Sequence, residues 1–299
     1  MLPSGSLEPR RRLKNLSGLS TADHDCQAAG LTYVYPVISR RAGGISIGIN
    51  LHPNNACNFR CVYCQVEGLV LGAGPEIDLS TLERELEWML DAASSEETRL
   101  AWAGDAEHAR LIDVAFSGNG EPTTSPRFAE AVTLLGRLLE QRRLLGTLRV
   151  VLITNGTMTH KPHVLEAIGA LSEMNGEVWY KLDRATDEAM HRVNGTHVSV
   201  AHHLEGLRRV ASHCPRTWVQ TCMFQWDGAP PGDADVEAYV AALERLVAER
   251  VPLAGVHLYS LARRSHQPEA PRLSSVSVGW LEALAARVRL FGLPVNVAP

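Results

Sequence analysis

From residue 44 onward the chain alternates short strand-like runs with longer helix-like ones, and few folds accommodate that rhythm. The strand-like runs lie at 45–51, 111–117, 148–154, 177–183, 217–224 and 255–260. Helix-like stretches intervene near 79–93, 127–144, 162–171, 200–212 and 233–249. A parallel neighbour is reached only by a crossover long enough to hold a helix, so the pattern predicts parallel βαβ units. A helix near 276–290 and a short strand at 293–297 follow, giving a C-terminal helix-strand extension over 266–299. Residues 1–30 are polar and punctuated, with Arg10, Arg11 and Arg12 together. They read as a solvated N-terminal extension ahead of a core spanning 31–265. Residues 94–110, rich in Ala, Glu and Asp, read as a variable surface insertion.

Parallel strands covered by helices on both faces are continuously apolar, and several strands here are not. In the first, Ile45, Ile47, Ile49 and Leu51 share one face, and Ser46, Gly48, Asn50 and His52 share the other. Ile112, Val114 and Phe116 stand opposite Asp113, Ala115 and Ser117, and Val256 and Leu258 stand opposite His257 and Tyr259. Helices cover only the apolar faces, so the polar faces line something wet or occupied. That predicts an open barrel of about six strands with a substrate-holding lumen, unlike the packed interior of a closed eight-stranded barrel.

Cys57, Cys61 and Cys64 supply three thiolates from one short loop with Cys-x3-Cys-x2-Cys spacing. Thiolates hold iron–sulfur clusters, and a four-iron cluster on three protein ligands leaves one iron open. An open coordination position separates a catalytic metal centre from a structural one. The rival is a zinc knuckle with His52 or a distant side chain as fourth ligand, but the chain has no second Cys-x2-Cys pair.

The remaining candidates sit at strand ends, where βα loops build sites. Gly118-Asn119-Gly120-Glu121-Pro122 follows the second strand; it is a glycine turn or a place where backbone meets a ligand closely. Thr154-Asn155-Gly156 ends the third strand, and Asn155 serves either a turn or a ligand. Lys181 and Asp183 share a face with Trp179, away from Val178, Tyr180 and Leu182. The pair is an ion pair or a lumen site; lysine also forms Schiff bases, and Asp183 alone also suits a turn or cap. Gln220 and Cys222 share a face on the fifth strand, where Cys222 is a small hydrophobe or a hydrogen-atom donor, with Tyr259 as a competing donor. Arg263 and Arg264 follow the sixth strand as an anion clamp or a solvated loop. His202 and His203 lack a partner histidine at ligand spacing and read as surface.

Composition narrows the function classes. The net charge is 29 − 33 = −4, so no global field attracts nucleic acid, although local basic patches remain open. No apolar run approaches the ~20 residues of a membrane span, and the N-terminus shows no signal-peptide h-region. Six cysteines in 299 residues do not make a disulfide scaffold, so a reducing cytoplasm is the expected compartment.

With Tyr63 just before the last cysteine, the loop resembles the cluster motif of the radical S-adenosylmethionine (SAM) superfamily. The resemblance extends over about 33–265 through an ordered set: Ser39-Arg40-Arg41 with Gly43-Gly44, the cysteine loop, the Gly-Asn-Gly-Glu-Pro turn, Thr-Asn-Gly, then Leu182-Asp183. It implies an α/β fold, a partial (β/α)6 TIM-like barrel. It implies a [4Fe–4S] cluster on Cys57, Cys61 and Cys64 and SAM on its open iron. SAM contacts would come from Tyr63, Gly118, Asn119, Gly120, Glu121 and Asn155, with Lys181, Asp183, Cys222 and Tyr259 as catalytic candidates. The implied reaction is reductive cleavage of SAM to a 5′-deoxyadenosyl radical that abstracts hydrogen from substrate, with a flavodoxin or ferredoxin as electron donor. Within the superfamily the chain looks most like the group of wyosine-type tRNA base synthases and their uncharacterised bacterial relatives, so the substrate is a small molecule or tRNA. Those synthases carry a second cluster on cysteines ahead of the main motif, whereas here only Cys26 precedes it. A second cluster would have to draw on Cys26, Cys214 and Cys222. A cysteine-rich C-terminal extension, as in peptide-modifying members, is absent from this sequence.

Overall fold

The computed structural model describes residues 13, 16, 18, 19, 29–39 and 43–298. Arg10, Arg11, Arg12, Cys26, Arg40 and Arg41 lie outside the described residues. Among the described residues the first strands are β1 (Val34–Ser39) and β2 (Gly44–Ile49), then the cysteine loop with the short β3 (Ala56–Cys57) and β4 (Val70–Leu71). Next come α1 (Leu79–Ser94), α2 (Glu96–Ala103), β5 (Leu111–Phe116), α3 (Phe128–Gln141), β6 (Arg149–Thr154), α4 (Pro162–Glu173) and β7 (Gly176–Lys181). The second half holds α5 (Asp187–Asn194), α6 (Val200–His213), β8 (Thr217–Cys222), β9 (Phe224–Trp226), α7 (Asp233–Ala248) and β10 (Leu253–Tyr259). It closes with β11 (Leu273–Ser275), α8 (Val278–Arg289) and β12 (Val295–Ala298).

Eight strands form one curled sheet in the order β1-β2-β5-β6-β7-β8-β10-β12. The six predicted strands, β2, β5, β6, β7, β8 and β10, are consecutive neighbours and all parallel. This is a half-barrel of the expected (β/α)6 kind. The predicted terminal helix and strand are α8 and β12, and β12 extends the sheet in parallel beside β10. Among the described residues no helix is long and apolar enough to cross a membrane.

Period-two patterning decides which face is which. Ile45, Ile47, Ile49, Val114, Phe116, Val150 and Leu152 are fully buried in the main core, under the helices. The helices present matching faces; α3 buries Phe128, Val132, Leu135, Leu138 and Leu139 against the sheet side. The opposite sheet face carries Ser46, Asp113, Ser117 and Trp179 into an open cavity.

Three elements differ from the sequence-based expectation. β1 was not predicted: Pro36 argues against a strand, but β1 is an antiparallel edge, where proline is tolerated. Its Tyr35 ring lies over Gly48, where an added Cβ would meet the ring at 2.2 Å. The 94–110 segment is not a surface insertion throughout, because α2 drives Trp102 into the core at 0% exposure, with its indole N–H donating to Leu13 O at 2.8 Å. The third is α5, a helix of eight residues capped by the Thr186 hydroxyl and ended by Gly195 in the left-handed region.

Candidate functional site

The cysteine loop is held from three sides at the carboxyl end of the sheet. Arg60 N and Val62 N donate to Asn194 O and Val193 O at the end of α5, at 3.0 and 2.9 Å. From the segment after β10, Ser265 Oγ donates to Val62 O at 2.7 Å and His266 N to Cys64 O at 2.9 Å. Arg60 forms a two-nitrogen pair with Glu269, at 2.8 and 3.2 Å. Gly195 is needed here, since a Cβ on it would meet Arg60 O at 2.7 Å.

Within this clamp all three thiols are partly buried. Burial pushes Cys57 up to about 11 and Cys61 up to about 12, and each is raised further by the Cys64 charge nearby. For Cys61 burial outweighs the lowering effect of the nearby Lys181 ammonium. Three soft sulfur donors on one loop suit an iron–sulfur cluster, although among the described residues no three ligating side chains are already gathered as a metal site. His52 has another commitment: it is 1% exposed, its Nε2 meets Thr124 Oγ1 at 2.8 Å, and burial lowers its pKa to about 4.

The Gly-Asn-Gly-Glu turn packs directly on this loop. A Cβ on Gly120 would fall 2.1 Å from Ala56 O, so only glycine permits the approach. Gly118 adopts φ +118 against Asn50, whose Oδ1 also accepts from Asn119 N at 3.3 Å. Glu121 turns inward: its carboxylate accepts from Thr123 N, Thr123 Oγ1, Thr154 Oγ1 and Asn155 N. Burial raises its pKa, and these four donors oppose that rise. The Glu121 side chain therefore fastens the turn to the end of β6. Asn155 is a brace as well, with Nδ2 donating to Asn58 Oδ1 inside the cysteine loop at 2.8 Å.

Asp183 is a hub. It accepts from Tyr63 Oη, from Asn194 Nδ2 at 2.7 Å and from Cys222 N at 2.8 Å, and Lys181 Nζ stands 3.4 Å away. Lys181 Nζ also donates to Tyr259 Oη at 2.7 Å and lies over the Tyr63 ring at 4.8 Å. Burial alone would lower the Lys181 pKa, but the Asp183 carboxylate overrides it, so the group is held as an ammonium. Asn194 Nδ2 reaches Cys61 Sγ as well, at 3.3 Å. One chain of contacts thus runs from a cluster-loop sulfur through Asn194 and Asp183 to Lys181 and Tyr259.

A cavity of about 330 Å³ opens beside this hub. Its rim includes Tyr63, Cys64, Gly118, Asn119, Gly120 and Arg263, and its strand wall includes Trp179, Cys222 and Tyr259. The floor is ionic. Asp113 pairs with Arg149 at 3.0 Å and accepts from Ser46, while Arg149 also stands 3.7 Å from Glu177.

Of the residues singled out in the sequence, Tyr63, Cys64, Gly118, Asn119, Gly120, Cys222 and Tyr259 meet at the cavity. Glu121, Asn155, Lys181 and Asp183 stand behind its wall and brace it, while Cys57 and Cys61 lie in the adjoining loop and do not line it. Arg263 is on the wall, whereas Arg264 is exposed. One expectation is corrected, and one open question, a second cluster drawing on Cys214 and Cys222, is answered. His203 is not a surface residue; it is 3% exposed under β7, with Nε2 donating to Lys181 O at 2.6 Å. Cys214 and Cys222 cannot share a cluster, because they flank opposite ends of β8, roughly 20 Å apart at a strand's rise per residue. Asn194, Asn58 and Ser265 were missed; for Asn194 the Thr186 cap and Gly195 stop were the available signals.

The chain matches the radical SAM superfamily over residues 51–228. The UPF0026 protein MJ1312 of Methanocaldococcus jannaschii is 28% identical over 163 residues, covering 54% of this chain and 43% of that protein. The chain therefore spans less than half the length of that relative. A radical SAM methyltransferase from Sphaerobacter thermophilus superposes with a TM-score of 0.60 at 16% identity, over 85% of this chain and 66% of that one. TYW1 with a lysine-pyruvate adduct bound superposes at 0.55, also at 16% identity, over 84% of this chain and 74% of the other. Those structural likenesses speak for the fold alone. The sequence match covers more than half of the chain, includes its three-cysteine loop, and coincides with the half-barrel and its cavity; the chain belongs to the radical SAM superfamily, which implies SAM and an iron–sulfur cluster as cofactors.

Proposed function

We propose that Cys57, Cys61 and Cys64 hold a [4Fe–4S] cluster and that the adjoining cavity is where SAM and substrate meet. The observation that carries this reading is the convergence of the clamped cysteine loop, the Gly118–Gly120 turn and the ionic-floored cavity at one end of the sheet. When bound, the cluster and SAM supply the 5′-deoxyadenosyl radical that takes a hydrogen atom from substrate. The chain's own residues position and shield. Backbone carbonyls of Gly118, Asn119 and Gly120 accept from the SAM ammonium, and Tyr63 stands beside the last cysteine. Glu121 and Asn155 act mainly by fixing that turn and the cysteine loop, which their buried hydrogen bonds support.

Lys181 serves as a cation toward a carboxylate rather than as a Schiff-base amine, given its pairing with Asp183. Cys222 and Tyr259 are the hydrogen-atom donors nearest the space a substrate radical would occupy. The 330 Å³ cavity favours a small molecule or a single extruded group over a rigid macromolecular surface. We assign the electron donor to the flavodoxin or ferredoxin class and the compartment to a reducing cytoplasm.

The deciding experiment is anaerobic reconstitution with iron and sulfide, followed by SAM and dithionite and chromatography for 5′-deoxyadenosine. Product that disappears in Cys57→Ala supports the reading. Stoichiometric zinc in protein purified without oxygen would sink it.

A further inference from the structure

A second cavity, of about 430 Å³, lies on the outer side of β9 and shares no lining residue with the first. Three arginines line it, Arg184, Arg192 and Arg272, together with Phe224, Trp226 and an apolar stretch at 229–231. Arg184 is the unusual member. It is 4% exposed, yet its hydrogen-bond acceptors are all neutral: Asp183 O at 2.7 Å, Cys222 O at 3.2 Å and Met223 Sδ at 3.4 Å. Among the described residues no carboxylate lies within ion-pair distance of it; Asp183 and Asp235 favour its charge only from farther off, and burial of a guanidinium without a direct partner is costly.

The nearby carboxylates are engaged by other cations. Asp183 is paired with Lys181 at 3.4 Å, and Asp235 with Arg192 at 3.0 Å. Arg192 and Arg272 are half exposed, with side-chain exposures of 52% and 54%, in surface pairs with Asp235 and Asp227. Arg272 holds Asp227 through two nitrogens, at 2.6 and 2.9 Å, and Asp235, the partner of Arg192, itself lines the cavity, so an incoming anion shares or displaces these carboxylates. Arg184 stacks over Phe224 at 5.1 Å and Arg272 over Trp226 at 5.2 Å, which fixes the planes of their donors.

We propose that this cavity binds a nucleotide, with the phosphate on the three arginines and the base against the Trp226 and 229–231 wall. Planar guanidinium forks match phosphate oxygens in pairs. A bare inorganic anion would fill only the cationic side of a space this large, so the ligand carries an apolar or aromatic body as well as the charge. The nucleotide is either free or one unit of an RNA strand; both present the same chemistry. The site is separate from the lumen and does not depend on the radical chemistry proposed above.

Isothermal titration of the full chain tests this with 5′-AMP, adenosine and a single-stranded RNA hexamer as probes, all under saturating SAM. Binding of 5′-AMP at least about tenfold tighter than adenosine is expected, because the phosphate supplies charge-assisted hydrogen bonds. Arg184→Gln and Arg272→Glu should each weaken 5′-AMP at least about tenfold. Arg272 is exposed, so its variant folds even if Arg184→Gln does not, and circular dichroism checks this. A hexamer that binds more tightly than 5′-AMP assigns the site to RNA; 5′-AMP without hexamer binding assigns it to a free nucleotide. No binding of 5′-AMP or the hexamer, including 5′-AMP binding seen only in a control titration without SAM, or undiminished binding by folded Arg272→Glu would overturn the proposal.

Discussion

Buried polar side chains set the chemistry of this protein one hydrogen bond at a time. His203 donates to Lys181 O at the end of β7 and is depressed to about 4, first by burial. In the unfolded chain it titrates near 6.5, so its contribution is fully present above that value and is lost as pH falls from about 6.5 to about 4. Chemical denaturation should show a fall on the order of 3 kcal/mol across that window from this residue. His203→Gln should remove about half of the combined decline, leaving the comparable share that His52, also lowered to about 4, contributes in the same direction. A variant with an unchanged slope would show that His203 is charged in the fold. Asn194 acts on the sulfur side of the hub. A hydrogen bond to a cluster sulfur favours the reduced, more negative state. Given ligation by Cys61, Asn194→Ala should lower the cluster potential by roughly 20–60 mV, the one-electron equivalent of about 0.5–1.5 kcal/mol. An electron-resonance redox titration reads this directly, and an unshifted potential would leave Asn194 with a packing role alone.

At the level of elements, the site depends on how closely two loops approach. Gly120 sits against the backbone of β3, where an added Cβ would lie 2.1 Å from Ala56 O. Gly120→Ala should cost about 1–3 kcal/mol as an overpacking change. It should also lower iron incorporation, because it displaces the strand that carries Cys57. Gly169, in the middle of α4, has nothing within 4 Å of its would-be Cβ. Gly169→Ala should stabilise by about 0.5–1 kcal/mol with iron content unchanged. Equal iron loading in the two variants would mean that the turn and the cysteine loop are not mechanically joined.

For the whole molecule, we propose 31–265 as the core, 1–30 as an N-terminal extension and 266–299 as a C-terminal one. The last segment carries Glu269, which pairs with Arg60 in the cysteine loop, and β12, which covers the edge of β10. A chain cut after residue 265 should lose both. Exposing the β10 edge, with Val256 and Leu258 fully buried in the intact sheet, invites association between chains. Low soluble yield and low iron content are expected of the truncated protein. A soluble, cooperatively unfolding product that loads iron normally would make 266–299 dispensable.

The sequence by itself determined the parallel strand–helix rhythm, the polarity of the sheet faces and the three-cysteine loop, because these follow from local periodicity and fixed spacing. Period-two alternation at Ser46, Asp113 and Ser117 already implied a lumen, and those side chains line it. What only the tertiary structure decided is which polar residues face the cavity and which brace it. Glu121 and Lys181 look like ligand groups in the chain, yet Glu121 is spent on Thr154 and Asn155, and Lys181 on Asp183 and Tyr259. Spacing already set Asp183 beside Lys181, but Thr154, Asn155 and Tyr259 come from the ends of other strands, and no local rule pairs them. Nor could spacing show that His203 would be buried beneath β7, that Trp102 would anchor α2, or that Arg184 would enter a second cavity. Periodicity assigns a residue to a face; only packing assigns the neighbour that completes its hydrogen bonds and charge.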